Sequence, residues 1–184
     1  MLLSARNNQF RFTFPRNFIP TPIADKYRPY LNRMPGGLIK EPIDFFNYGI
    51  QSLNLPGPSF DPTTQNDFPG NTRRFRSSLP KQELFDKSLT VTMQAFDGWI
   101  NYWMAVETFD YYYSLSGKSP FLPPGPGIQM MDGEGNIFVT IQLKEMIMTS
   151  VGSLDLNFSS NTIEFQTFDI EFSYNILEVD VNLS

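Results

Sequence analysis

The sequence predicts a mainly β fold, a sandwich or partial barrel carrying one substantial helix, and three observations predict it. First, the stretch from Val139 to Tyr174 alternates apolar and polar residues at the two-residue period of half-buried strands. Leu154, Leu156 and Phe158 share one face against Ser153, Asp155 and Asn157. After the polar turn Ser159-Ser160-Asn161, Phe168, Ile170, Phe172 and Tyr174 alternate with Thr167, Asp169, Glu171 and Ser173. Second, 15 Pro and 12 Gly punctuate the chain while 18 Phe, 8 Tyr and 2 Trp supply its apolar bulk, a balance that suits a loop-rich β protein. Third, a single stretch, Asp97 to Tyr113, carries convincing helical spacing, through Trp99, Tyr102, Trp103, Val106 and Tyr113.

From the N-terminus, Gln9 to Phe14 reads as a strand, with Phe10, Phe12 and Phe14 alternating against Arg11 and Thr13. Arg16 to Glu41 reads as an ordered surface arm. Its Ile19, Ile23, Tyr27, Tyr30, Leu31 and Met34 are too apolar for a solvated linker. Thr21-Pro22 starts a short helix there that Pro29 limits. Asp44 to Leu55 reads as a second strand region, stopped by Pro56-Gly57-Pro58, and residues 60–82 as a second long loop. Leu84 to Ala95 returns to strand, with Leu89, Val91 and Met93 toward the core and Asp86, Ser88, Thr90 and Thr92 on the other face. Asp97 is the expected N-cap of the helix, and Gly117 and Pro120 end it. After the proline-rich Phe121 to Gly127, strands Ile128 to Met131 and Ile137 to Met148 flank the turn Asp132-Gly133-Glu134-Gly135-Asn136. The expected core is Leu89, Val91, Met93, Trp103, Ile141, Leu143, Leu154, Leu156, Phe168, Ile170 and Phe172.

The chain of 184 residues suits a single domain with a sizeable core. It contains no His and no Cys, which removes the Ser-His-Asp and Cys-His triads, thiol redox chemistry and the usual zinc and haem ligand sets. A net charge of −5 makes it a poor partner for duplex DNA, whose binding is driven by neutralising phosphates. No stretch approaches the roughly 20 apolar residues of a membrane span, so no membrane insertion is expected. The N-terminal apolar run is too short for a signal peptide.

Four features invite a chemical reading. The Asp132 to Asn136 turn places oxygen side chains at alternate positions, as calcium loops do. It lacks the downstream bidentate Glu, so a hairpin turn is the better reading and no metal or cofactor is expected. Arg73, Arg74 and Arg76 around Phe75 are suited to phosphates with a stacked base, but the run is short. A solvated loop or a contact to an acidic neighbour fits better. The Trp99, Tyr102, Trp103 stripe suits a sugar; at helical spacing it reads as core. Asp155, Glu164, Asp169 and Glu171 offer carboxylates for glycoside cleavage, yet acids alternating along a strand are usually its wet side. An enzyme is not expected.

The terminal segment resembles the end of the tail tube proteins of contractile-tailed bacteriophages, whose fold is shared by tube subunits of type VI secretion and related injection machines. The family's Val-Gly-x-Leu-x-Leu strand is matched by Val151 to Leu156, its Ser-Asn turn by Ser160-Asn161, and its Ile-Glu-x-Gln-Thr-Phe-x-Val/Ile strand by Ile163 to Ile170. Upstream, Leu53-Asn54-Leu55-Pro56-Gly57 is similar to a strand-ending motif of that family, and Leu84 to Thr92 to its strand before a Trp-bearing helix. The order covers most of Asp44 to Tyr174; the arm and the segment from Phe121 to Gly127 depart from the short members.

The resemblance implies one tail-tube domain whose copies form hexameric rings and close an inner β-barrel. It further implies stacking of rings into a channel for genome delivery, with tail sheath, baseplate and terminator proteins as partners. The expected location is the virion tail, assembled in the host cytoplasm. DNA would pass without specific binding along a polar, net negative or neutral wall. Candidates for that wall are Asp86, Ser88, Thr90, Thr92, Ser153, Asp155, Asn157, Thr167, Asp169 and Glu171. Arg73, Arg74, Phe75 and Arg76 would sit in an inter-ring loop. A tube-fold baseplate or tail-completion protein is the nearest alternative. A carbohydrate-binding β-sandwich module, resting on aromatics such as Tyr111 to Tyr113, is the alternative of another class.

Overall fold

The strands sort into two four-stranded antiparallel sheets and a separate hairpin in the structure, a computed structural model that describes residues 9–33, 41–55, 57–58, 63–67, 71–75, 87–114, 121–123, 127–154 and 165–182. The first sheet has the order β1 (Phe10–Thr13), β6 (Gly127–Met131), β7 (Ile137–Lys144), β10 (Ile176–Val181). The second has the order β2 (Ile50–Asn54), β5 (Ser88–Gln94), β9 (Thr167–Ser173), β8 (Ile147–Val151). Neither closes on itself within the chain. The hairpin pairs β3 (Thr63–Asp67) with β4 (Asn71–Phe75), inside the stretch expected as a long loop.

Alternation does most of the sorting. Along β5, Leu89, Val91 and Met93 are buried while Ser88, Thr90, Thr92 and Gln94 are not. Along β9, Phe168, Ile170 and Phe172 are buried between Thr167, Asp169 and Glu171. The antiparallel register sets Leu89 opposite Phe172, Val91 opposite Ile170 and Met93 opposite Phe168, so the inner face is one apolar block. The first sheet contributes Phe12, Ile128, Ile141 and Leu143 to the same core.

A single ribbon passes from one sheet to the other. The strand expected as continuous from Ile137 to Met148 breaks at Glu145, which adopts φ 54, before β8 begins in the second sheet. Beside it, β9 crosses back into β10 through Tyr174 and Asn175. Asn175 donates its backbone N–H to the Lys144 carbonyl (3.3 Å) and its side-chain amide to Glu145 Oε2 (3.0 Å). Lys144 pairs with Ile176 on one side of this corner and Ile147 with Ser173 on the other. Such corners, made by strands that switch sheets at a bend, are how sheets share a ribbon.

Three helices are present among the described residues, where one substantial helix was expected. α1 (Thr21–Leu31) has Pro22 in its first turn and continues past Pro29, burying Ile23 and Leu31. α2 (Pro42–Tyr48) occupies the start of the predicted strand from Asp44 to Leu55, leaving only Ile50–Asn54 as strand. Pro42 at its start and Asp44 in its first turn favour a helix. Phe45 and Phe46 bury on the core, and local aromatic β propensity is overridden by that packing. An aromatic cluster then joins the N-terminal segment to the second sheet: Phe14 stacks on Phe18 at 4.5 Å and lies 5.3 Å from Phe46 and 5.7 Å from Phe172.

α3 (Ile100–Ser114) follows a 3-10 turn, Asp97–Trp99, in which Gly98 takes φ 70 and Trp99 φ 50. Asn101 organises this entry. Fully buried, it accepts the Phe96 N–H (3.1 Å) and donates to the Gln94 carbonyl (2.6 Å). Trp103, predicted as core, is 52% exposed: Met104, Ala105 and Thr108 take the buried side, and Tyr102 alone of the stripe reaches inward, 5.2 Å edge-on to Phe168. Leu154 is half-buried against the core, and Leu156 lies outside the described residues. Among the described residues, no helix is long and apolar enough to cross a membrane.

Candidate functional site: a polar sheet face

The outer face of the second sheet is built by the same alternation that builds the core. Because partners in register share a face, residues line up in rows across the four strands. Asn54, Thr90, Glu171 and Ser150 form one row; Ser52, Thr92 and Asp169 form the next. Side chains bridge the strands: Ser150 Oγ donates to Glu171 Oε2 at 2.8 Å, and Gln51 Nε2 to Gln94 Oε1 at 3.1 Å. Beyond β8, the Gly152 N–H donates to the Asp169 carbonyl at 2.7 Å. A Cβ at Gly152 would stand 3.2 Å from that backbone, a tight contact that a larger residue could make only if the strand shifted by a few tenths of an ångström.

The electrostatics of the face are simple. β2, β5, β8 and β9 contain neither Lys nor Arg, and their charges are Asp169 and Glu171 alone. Hydroxyls and amides fill the remaining positions except at Ile147, in register with Ser173, so the face is largely hydrated and weakly negative. Asp169 and Glu171 are both exposed. Of the residues expected on a channel wall, Ser88, Thr90, Thr92, Thr167, Asp169 and Glu171 share this face. Ser153 is exposed just beyond β8, outside any strand, and Asp86, Asp155 and Asn157 lie outside the described residues.

The other chemical candidates separate. Asp132 spends its carboxylate on its own turn: Oδ1 accepts the N–H groups of Glu134 and Asn136, both at 2.8 Å, and Oδ2 accepts the Asn136 side-chain amide at 3.0 Å. The Asn136 amide, followed by these backbone N–H groups, holds the Asp132 carboxyl below the usual carboxylate range. This is a hairpin turn, joining β6 to β7. Among the described residues, no group of three or more acidic side chains is arranged to hold a metal ion. Arg73, Arg74 and Phe75 fall in β4, opposite Gln65, Thr64 and Thr63; Arg74 is exposed, and Arg76 lies outside the described residues.

The aromatics of α3 do not form one platform. The Trp99 indole N–H donates to Gln166 Oε1 at 2.7 Å, and Tyr112 OH donates to the Phe18 carbonyl at 3.2 Å. Burial, with the Tyr111 hydroxyl second, raises the Tyr112 phenol. Tyr27 OH donates to Glu107 Oε1 at 2.9 Å, beside the Lys26–Glu107 ion pair, and ties α1 to α3. Burial first, then the bond to Glu107, pushes the Tyr27 phenol up to about 12.

Sequence reasoning missed two sets of residues. One is Asn101, whose buried amide carries no distinguishing local pattern. The other lines a cleft of about 730 Å³ between the starts of α1 and α2 and the end of α3, with Arg16, Arg28, Ile19, Ile43, Tyr111 and Tyr112 in its walls. These positions are far apart in the chain, and only the fold brings them together.

No protein-family model matches the chain, and no curated protein matches its sequence. Solved structures do. The chain is similar to the anti-feeding prophage cap, the tube terminating cap of that machine, with a TM-score of 0.54 at 11% identity, over 99% of this chain and 94% of that one. It is also similar to a protein of the anti-feeding prophage baseplate (TM-score 0.49, 12% identity, 72% and 78% of the two chains). A third is a protein of the sheath/tube terminator of an extracellular contractile injection system (TM-score 0.48, 16% identity, 72% and 85%). What the first of these shares with this chain is the fold, from end to end.

Proposed function

We propose that this chain, which has the tail-tube fold of contractile injection machines, is a structural ring subunit of a phage or phage-like tail tube. In this reading, hexameric rings stack into a channel, and copies of the β2-β5-β9-β8 sheet close an inner barrel whose polar face lines the lumen. The carrying observation is that face: a sheet whose central strands β5 and β9 bury one side in the core, with the other side polar apart from Ile147 at its margin and free of Lys and Arg, left open within the chain. Closure across copies would satisfy its edges, which otherwise template aggregation. A weakly negative, hydrated wall repels phosphates and lets DNA pass without binding, where an Arg-lined wall would hold it. No reaction is part of this reading. Arg73, Arg74 and Arg76 on the β3–β4 hairpin and beyond it would meet carboxylates of the adjacent ring, making stacking sensitive to salt. Sheath, baseplate and terminator proteins are the partners, and the virion tail, assembled in the host cytoplasm, is the location.

Electron microscopy of the purified protein, alone and with a nucleating baseplate complex, tests the reading. Rings or tubes with a central channel are expected; a monodisperse monomer under both conditions would refute it. A second reading, a tube-terminating role, is favoured by the end-to-end likeness to a tube terminating cap. Gold labelling of assembled tails separates the two: label along the whole tube marks the repeating subunit, label at one end the terminator.

A further inference from the structure

We infer that a rim of exposed aromatics at one end of the second sheet receives the Arg74-bearing β3–β4 hairpin of a second copy. The inference rests on the reading that copies of this chain stack, and it names the surface on which the hairpin lands.

The rim forms where β2 starts, β5 ends and β9 starts, three strand ends that the register places side by side. Tyr48, shortly before β2, is 76% exposed, and its ring stacks on Phe96 at 5.9 Å. Phe165, shortly before β9, is 77% exposed. The chain beside it is fixed by the Ala95 N–H, which donates to the Gln166 carbonyl at 2.8 Å. Trp99 and Trp103 are exposed as well, the latter edge-on to Tyr102 at 5.5 Å. Large apolar side chains exposed together mark an interaction surface.

The rim is set before anything binds. Trp99 is held at φ 50, a left-handed conformation that destabilises a bulky residue and persists where its neighbours fix it. Its backbone N–H donates to the Phe96 carbonyl at 2.8 Å and its indole N–H to Gln166 at 2.7 Å. Buried Asn101 ties Phe96 in turn to the end of β5. That strain holds an indole at the surface instead of in the core, and little ordering remains to oppose a contact there.

Chemistry selects a cation as the occupant. Segments 42–54, 94–114 and 165–173, which build the rim, contain no Lys or Arg. Asp44 is exposed one turn before Tyr48 on the same side of α2. A guanidinium stacks on aromatic faces and pairs with carboxylates, and the rim offers both. Arg74 is exposed on a hairpin of two five-residue strands that pair with no other strand among the described residues. A lone hairpin is marginal in water until something packs on it. Among the described residues, it makes no extensive contact with α2, α3 or the second sheet of its own chain. The chain leaves β2 for the hairpin after Asn54 and re-enters the sheet at Ser88, whereas Tyr48 and Trp99 lie beyond Ile50 and Gln94 at the other end. The seven residues of β5 alone span about 23 Å between those ends. Unlike, complementary surfaces at opposite ends of one subunit make a heterologous contact, which repeats from copy to copy.

Trp99 and Trp103 are the two tryptophans of the chain, so intrinsic fluorescence reads the rim directly. Acrylamide should quench them in the free subunit, and most of that quenching should be lost in assembled tubes. In parallel, Arg74→Glu should weaken self-association about tenfold or more by sedimentation, Asp44→Arg should do the same, and the two together should restore it. Circular dichroism checks that each variant is folded. Tubes whose tryptophans stay open to acrylamide, with assembly indifferent to charge reversal, would overturn this contact and leave the ring reading standing. Shielded tryptophans with no response to charge reversal would give the rim a different occupant and overturn the part assigned to the hairpin. If the wild type forms no assembly even on a nucleating complex, both readings fall.

Discussion

The two sheets obey the same alternation and end up differently covered. In the second sheet, every apolar residue on the inner face of β5 and β9 is buried to 3% exposure or less. In the first sheet the inner face outruns its cover. Ile141 and Leu143 are buried, yet Val179, the register partner of Ile141, and Val181, that of Val139, are each 51% exposed. Period-2 patterning thus assigns a residue to a face, while the depth of its burial depends on what lies opposite. Among the described residues, the inner face of β5 and β9 is covered within the chain, while the valines of β10 are not.

Mutations can break that contrast. Phe168→Ala, in the second sheet against Tyr102, should cost about 3–5 kcal/mol by denaturant unfolding. A cost near zero would show that the block is not the core. Next comes the tie between the regions, since Tyr27 belongs to the arm that follows β1 and bonds to α3, which packs on β8. The folded state raises the Tyr27 phenol to about 12 from 10, so it favours the neutral form. Its stabilisation is complete below pH 10 and is lost as pH rises from 10 toward 12. Unfolding midpoints of wild type and Tyr27→Phe should therefore converge across that window, and parallel curves would dismiss the tie. Asp169→Lys with Glu171→Lys, on an exposed face, should change stability by no more than about 0.5 kcal/mol. If the face lines a channel, the same pair should leave tubes intact and slow DNA ejection; normal ejection would remove luminal charge from the account. Val181→Ser should be the smallest effect on the isolated subunit, within about 0.5 kcal/mol. A larger loss would mean that the first sheet is covered in solution.

The second sheet was legible in the sequence because each of β5 and β9 buries one face and wets the other, the condition under which alternation carries information. The β3–β4 hairpin was not: Thr63–Asp67 and Asn71–Phe75 are almost entirely polar, so no face is marked. β10 was missed for a related reason, since Glu178, Asp180 and the exposed valines blur the contrast. Trp103 was misplaced because α3 is apolar on most sides, so spacing alone does not say which side turns inward. The polar face was readable residue by residue, whereas its rows depend on register, and register is a property of paired strands.

The shared corner at Glu145 and Asn175 has a mechanical consequence. Because β7 runs into β8 and β9 into β10, a pull on one sheet travels to the other along covalent backbone instead of across side-chain packing. The hydrogen bonds at the bend load together, in shear, when the ribbon is drawn lengthwise. Sliding the sheets apart would require rupturing that hem as a unit. A wall built from such pieces would yield at the seams between copies before it yielded within one.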